Sequence, residues 1–207
     1  MGPYPTTARR KKFIFVVTDV FTKWTEAFAL ASSEATCLIQ AMETEVLPRW
    51  GYPRAILSDN GRQFINQEWQ NACRRWKCER WTTAIYNPRA NPAERRNREV
   101  KKGLRLHLHN QSHKHWDKHL PSVLFQLRCR RNAATGLSPS EALLGASLNR
   151  PGDWRITNRD RGRGHNEPAE RQERHEQISN HTKRYQTRRP RGTTPDSRPA
   201  GKDRTAL

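Results

Sequence analysis

No stretch of this 207-residue chain approaches the ~20 consecutive apolar residues that cross a bilayer. The run Phe13 to Val17 is cut off by Thr18 and Asp19, so no membrane association is expected, and the run is too short for the apolar core of a signal peptide. Cysteine is scarce. Cys37, Cys73, Cys78 and Cys129 include no Cys-x-x-Cys pair, which argues against a disulfide framework and reads as reduced, partly buried thiols of an intracellular protein. Apolar residues make up only 33% of the chain, too little for a core along its whole length. Residues 150–207 are the poorest: Trp154, Ile156, Ala169, Ile178, Tyr185, Ala200, Ala206 and Leu207 are their only apolar members. Such a segment cannot offset its own ordering entropy and is expected to be a basic, largely disordered tail. Acidic side chains are also few, 20 against 39 Lys and Arg.

That imbalance leaves a formal charge of +19, far more than solubility needs, and a polyanion is the first partner it suggests. The expected organisation is a lead-in loop over 1–12, with Pro3, Pro5 and the basic run Arg9 to Lys12, then a compact domain over 13–149, then the tail. Phe13 to Val17 and Trp24 to Leu30 read as an antiparallel strand pair. From Glu34 the period becomes helical through Leu38, Ile39, Met42, Val46, Leu47 and Trp50; Ser32 or Ser33 is the expected cap, and Gly51 with Pro53 ends the helix. A short strand, Ala55 to Ser58, closes on the turn sequence Asp59-Asn60-Gly61. A helix from Asn66 to Trp76, a strand from Glu79 to Thr83, and a Pro-rich loop from Tyr86 to Pro92 lead to a long helix starting near Ala93 or Glu94. Helices over Trp116–Arg131 and Ser138–Leu144 follow, with Pro139 suited to a first turn. Strands and helices in alternation predict a mixed α/β sheet flanked by helices. Trp50, Trp69, Trp76, Trp81 and Trp116 have apolar neighbours, and most of them are expected in the core, with contact to DNA as the alternative.

Two carboxylates carry the sharpest chemistry. Asp59 stands at a strand end and Glu94 on a first helical turn. Carboxylates that converge repel one another unless a cation neutralises them, and all-oxygen ligands suit Mg²⁺ or Mn²⁺. The alternative is that Asp59 starts a turn and Glu94 complements a helix dipole. Arg98, Lys101 and Arg105 share the face of Glu94, with Arg95 and Lys102 beside them, while Val100, Leu104 and Leu108 form the apolar stripe. A basic face leading away from a carboxylate suits a phosphate backbone, and it also fits a solvated charged face. His107, His109, His113, His115 and His119 cluster but lack the Cys-x-x-Cys of a structural zinc module, so no zinc site is expected.

The strings Phe15-Val16-Val17-Thr18-Asp19-Val20-Phe21-Thr22-Lys23-Trp24-Thr25-Glu26-Ala27, Leu57-Ser58-Asp59-Asn60-Gly61-Arg62-Gln63-Phe64 and Tyr86-Asn87-Pro88-Arg89-Ala90-Asn91-Pro92-Ala93-Glu94-Arg95-Arg96-Asn97 resemble the catalytic core of retroviral-type integrases, most closely those of gypsy-type LTR retrotransposons. Trp116-Asp117, Leu120-Pro121 and the segment Thr135 to Gly145 add to the resemblance, which covers residues 2–151. It implies an RNase H-like fold and a metal-dependent polynucleotidyl transferase that joins element DNA to a target, with Mg²⁺ or Mn²⁺ as cofactor, DNA as partner and a homo-oligomer as the working form. Asp59 matches the family's second metal-binding carboxylate and Glu94 its third. Asp19 is only a weak alternative for the first, because Gly2-Pro3 matches the segment that follows the first catalytic aspartate in gypsy-type relatives. The resemblance therefore places that residue, and the central strand carrying it, upstream of Met1. The other reading is a non-enzymatic nucleic-acid binder derived from an integrase. Action on DNA implies the nucleus, for which Arg9-Arg10-Lys11-Lys12 is a candidate import signal.

Overall fold

The computed structural model describes residues 1–83, 92–109, 112–133, 135–153 and 193–195, which form two compact units. The first takes in residues 1–32 and the chain from 92 onward up to Arg189; the second takes in 33–91 and the end of the chain. Among the described residues no helix is long and apolar enough to cross a membrane.

The first unit is built on an antiparallel pair, β1 (Phe13–Thr18) and β2 (Thr25–Leu30), in register from Phe13 opposite Leu30 to Thr18 opposite Thr25. Alternation along β1 turns Ile14 and Val16 toward the core that α5 (Pro92–His107) and α6 (Trp116–Cys129) complete. Val100, Leu104 and Leu108, spaced by one helical turn each, are the buried stripe of α5, as the periodicity predicts. They meet Leu120, Val123 and Leu124 of α6. The two helices approach closely at Gly103, where an added Cβ would lie 2.6 Å from Val123 Cγ1. Valine is stiff at χ1 in a helix and cannot swing away. We therefore expect Gly103→Ala to lower stability by about 1 kcal/mol, overpacking outweighing the ~1 kcal/mol gain in helix propensity. Urea titration should also show Gly103→Ala and Val123→Ala to be non-additive, the pair losing less than the sum.

Residues 1–12 are anchored to this unit. The Met1 amino group donates to Ile14 O at 2.8 Å and Ile14 N to Met1 O at 2.9 Å. Tyr4 N donates to Lys12 O and Thr7 N to Lys11 O. Trp116, 1% exposed, donates from Nε1 to Pro5 O at 2.8 Å, and its ring lies 5.4 Å from that of Tyr4. Arg9 pairs with the buried Asp117 at 2.8 Å. Among the described residues, β1 thus has β2 along one edge and Met1, opposite Ile14, on the other.

A buried polar cluster ties β2 to α6. Arg128 donates to Thr25 O from Nε and Nη2 and to Glu26 Oε2 at 2.7 Å, and its guanidinium lies 4.4 Å from the centroid of the Trp24 ring. Trp24 Nε1 donates to the other Glu26 oxygen. Past α6, Ser138 caps α7 (Pro139–Leu144) in a reciprocal capping box with Glu141, and Gly145 ends the helix in the left-handed region, where its missing Cβ removes the steric cost.

The second unit opens with a continuous helical segment from Ala35 to Trp50: α1 (Ala35–Ala41), a π turn (Met42–Val46) and α2 (Leu47–Trp50). Pro48 has no N–H and crowds the carbonyl one turn back, and the π turn lies immediately before it. The cap position is Glu34, whose side chain makes no capping hydrogen bond, rather than Ser32 or Ser33. β3 (Ala55–Ser58) leads through α3 (Arg62–Ile65) and α4 (Gln67–Arg75) to β4 (Glu79–Thr83), which pairs parallel to β3. Asn66 caps α4, accepting from Trp69 N. Trp69 packs edge-on against Phe64 and Trp76 and is 1% exposed, while Glu43 accepts from Trp76 Nε1 and Arg75. The Arg75 guanidinium beside it holds the Glu43 carboxyl below the usual range. Burial pushes the Cys73 thiol up to about 11, so it is kept in its unreactive form.

Trp50 departs from the core expectation: it is 43% exposed at the end of α2, where the Leu38, Met42, Val46 and Leu47 side of the segment is the one buried. Trp81 is only half-buried. Of the tail, the described residues are the turn at 150–153 and Thr193–Pro195, which pairs antiparallel to β4 as β5. The expectation of disorder for the rest lies outside the described residues, as does the loop at 84–91.

Candidate functional site

Asp59 follows β3 directly and is exposed. Its Oδ1 accepts from Gly61 N at 3.0 Å, closing a tight turn, and Asn60 Nδ2 reaches Thr83 O of β4 at 2.9 Å. The turn is thereby pinned to the sheet rather than left to swing. Gly61 is part of the arrangement, since a Cβ there would stand 2.9 Å from Asp59 Oδ1 and 2.5 Å from Gln63 Nε2. Beside Asp59, Ser58 Oγ is buried without a hydrogen-bond partner among the described residues. The turn string announces the bend, but the roles of Asn60 and Gly61 in holding the carboxylate depend on β4, which a local pattern does not contain.

Glu94 is exposed on the first turn of α5. At about 100° per residue, Arg98, Lys101 and Arg105 fall on its face, and all three are exposed. Lys102 and Arg95 flank that face and are exposed as well. Arg95 pairs with Glu99 at 3.3 Å. Arg96 does not belong to the surface set: it is buried and pairs with Glu99. Arg98, Lys101, Lys102 and Arg105 form no ion pair among the described residues. The helix thus carries a solvent-facing cationic stripe headed by one carboxylate, over a buried side of Val100, Leu104 and the Arg96–Glu99 pair. Leu106, 69% exposed, is the apolar member on the outer surface.

Asp19 is differently employed. It sits in the turn between β1 and β2, where Oδ2 accepts from Thr22 N at 2.7 Å and from Thr22 Oγ1 at 2.5 Å. Its backbone N–H bonds to Trp24 O, and Lys23 N to its carbonyl. The carboxylate is thus committed to closing the hairpin. Lys23 in the same turn adopts a left-handed φ of 64° and donates to Val20 O. Burial, with Arg96 and Arg95 nearby, pushes the Lys23 ammonium below its ordinary value, while Asp19 opposes the shift. The base of α5 and this turn are therefore a region of converging positive charge.

Asp59 belongs to the second unit and Glu94 to the first. Among the described residues no three His, Cys, Asp or Glu side chains gather into a metal-sized group. Of the clustered histidines, His107 and His119 stack with ring centroids 5.8 Å apart, and His107 Nε2 meets Gln126 Nε2 at 3.3 Å.

Against known proteins, the model of the integrase core domain matches residues 2–88. The Gag-Pol polyprotein of feline leukemia virus is 32% identical over 140 residues, a match that takes in 65% of this chain and 8% of the polyprotein. That of gibbon ape leukemia virus is 33% identical over 140 residues, with the same 65% and 8% coverage. The chain thus corresponds to a small part of these relatives. Among solved structures, the simian T-cell lymphotropic virus intasome in complex with PP2A regulatory subunit B56 gamma matches with a TM-score of 0.58 at 20% identity, over 68% of this chain and 51% of that one. The catalytic core domain of BIV integrase matches with a TM-score of 0.52 at 22% identity, over 64% of this chain and 85% of that one. The fold is that of an integrase catalytic core, a mixed α/β architecture flanked by helices.

Proposed function

We propose that this chain is the catalytic core of an LTR-retrotransposon integrase of the gypsy type, built to join element DNA to target DNA by metal-dependent strand transfer. The observation that carries the reading is the outer face of α5: Glu94 heads a row of exposed cations, Arg98, Lys101 and Arg105, on a fold shared with integrase cores. Asp59 and Glu94 are the carboxylates assigned to the metal. Both are exposed and without an ion pair among the described residues, although cations outnumber acids 39 to 20 in the chain. Their oxygen-only donor chemistry fits Mg²⁺ or Mn²⁺. When bound, such ions activate the attacking oxygen and stabilise the leaving one in an in-line displacement. The protein's own part is to hold the Asp59 carboxylate through Gly61 N and the Asn60 tie, and to align a phosphate backbone along Arg95, Arg98, Lys101, Lys102 and Arg105.

The reading also rests on the resemblance of the motifs around Asp59 and Glu94 to those of integrase cores. By the same resemblance the working form is a homo-oligomer acting in the nucleus.

Strand transfer by the full chain, measured with duplex oligonucleotides bearing element ends in Mg²⁺, tests the proposal alongside DNA affinity. Asp59→Asn and Glu94→Gln should each abolish joining while leaving duplex affinity within about twofold, as expected for groups whose interaction is confined to the transition state. The triple change of Arg98, Lys101 and Arg105 to Gln should flatten the slope of log affinity against log salt by up to about 2.7, at roughly 0.9 for each phosphate that is no longer neutralised. A chain that binds duplex DNA with that salt slope yet never joins strands would instead be the non-enzymatic binder.

A further inference from the structure

A groove of about 1020 Å³ opens in the first unit between the C-terminal half of α6 and the segment around α7. Its apolar surface comes from Pro121 and Phe125 of α6 and from Pro151 beyond α7. Arg130, Arg131 and Arg150 stand around it, all exposed; Arg130 and Arg150 have no side-chain partner among the described residues, and Arg131 lies near Glu141. The one acid in the lining, Glu141, is turned inward. It accepts from Ser138 N at 2.8 Å, Ser138 Oγ at 2.9 Å and Ser147 Oγ at 3.0 Å, bonds that hold its carboxyl below the usual range. Its hydrogen bonds go to the helix cap and to Ser147, Arg131 adds a weaker electrostatic pull on the same carboxyl, and all three guanidinium-bearing residues remain exposed to solvent.

From this pairing of an apolar floor with three exposed arginines we infer that the groove docks an acidic peptide segment with an apolar side chain among its carboxylates. Arginine's planar fork matches carboxylates bidentately, and the floor gives the apolar residue a place to lose water. A nucleic-acid backbone would satisfy the arginines but would leave the Pro121, Phe125 and Pro151 surface without a complement. A second copy of this chain, at +19, would bring a predominantly basic surface to a basic rim. The groove shares no residue with the outer face of α5, and the inference does not rest on the strand-transfer reading.

The test uses the full chain at physiological salt and a fluorescein-labelled peptide in which Asp and Glu flank a Leu-Phe pair. Two controls accompany it: the same peptide with Gln for the acids, and the same peptide with Ser-Ser for Leu-Phe. Anisotropy should show the parent peptide binding at least about tenfold more tightly than either control, a difference of one affinity decade. The combined Arg130→Gln, Arg131→Gln and Arg150→Gln variant should lose that advantage with unchanged circular dichroism. Cys129 lines the groove and is half-buried, as is Cys37 in the other unit. Bound peptide should therefore slow alkylation of Cys129 and leave that of Cys37 unchanged.

Equal binding of the Ser-Ser control would reduce the effect to bulk charge and overturn the inference. So would unchanged binding by the triple variant, or an unprotected Cys129. Protection of Cys129 by duplex DNA and not by the peptide would reassign the groove to phosphate contact, and loss of self-association in the triple variant without peptide binding would reassign it to an interface between copies.

Discussion

Arg128→Ala is expected to lower the unfolding free energy by about 3 kcal/mol, a large share of the roughly 5–15 kcal/mol that holds a domain together. The guanidinium bridges Thr25 O, Glu26 Oε2 and the Trp24 ring, and Glu26 is only 8% exposed. Removing the cation takes the guanidinium from this buried carboxylate, while Trp24 Nε1 stays bonded to it. Most of the cost is that uncompensated buried charge rather than the intrinsic worth of the pair. Combining Arg128→Met with Glu26→Gln should therefore recover much of the loss, because no buried charge remains. Arg128→Lys should fall between, keeping the charge but losing the fork and the planar stacking over Trp24. Urea unfolding followed by circular dichroism at neutral pH gives all four values. A loss under about 1 kcal/mol for Arg128→Ala would mean that water reaches Glu26 and that the cluster adds little.

Much of this architecture is legible in the order of residues because it is local. The β-branched run at Phe13 to Val17, the helical spacing of Val100, Leu104 and Leu108, and the cap at Asn66 each encode their element within one or two turns of chain. Elements too short to show a period do not read in this way: α3, from Arg62 to Ile65, completes barely one turn, and β5 has three residues. The π turn at Met42–Val46 preserves the apolar face that the periodicity detects, so the pattern reads through it. Trp50 misleads because its neighbours are apolar while its own position falls past the buried side of the segment.

The candidate site divides along the same line. Glu94 and its row of cations follow from helical spacing alone, and Asp59 from its place after a strand. Spacing does not distinguish Arg95, which is exposed, from Arg96, which is buried against Glu99, because adjacent residues on a helix differ by about 100° and burial depends on what packs alongside. Arg128 is a plainer case: its partners Trp24, Thr25 and Glu26 lie more than a hundred residues away in sequence, and no periodicity records such a contact. The groove beside α7 is likewise invisible to a local pattern, since its three arginines gain significance only from what Glu141 is already bonded to.

Trp116 shows how a motif residue can serve the fold, and its replacement should be as damaging as that of Arg128. It is 1% exposed in the core of the first unit, so Trp116→Ala is expected to cost about 3–5 kcal/mol in lost burial and cavity formation. Trp116→Phe keeps most of the ring's packing but leaves Pro5 O without its donor, a loss of about 1–3 kcal/mol. The two variants should share a local signature beyond global stability. Residues 1–12 are held by the Trp116 bond to Pro5, the Tyr4 ring contact and the Arg9 pair with Asp117, two of which involve Trp116 itself. Hydrogen exchange at the Tyr4 and Thr7 amides, which bond to Lys12 O and Lys11 O, should therefore accelerate in Trp116→Phe well before the α5 amides do. If both sets accelerate together, the lead-in opens only with the whole unit, and Trp116 stabilises the core without a separate part in anchoring the segment that runs beside β1.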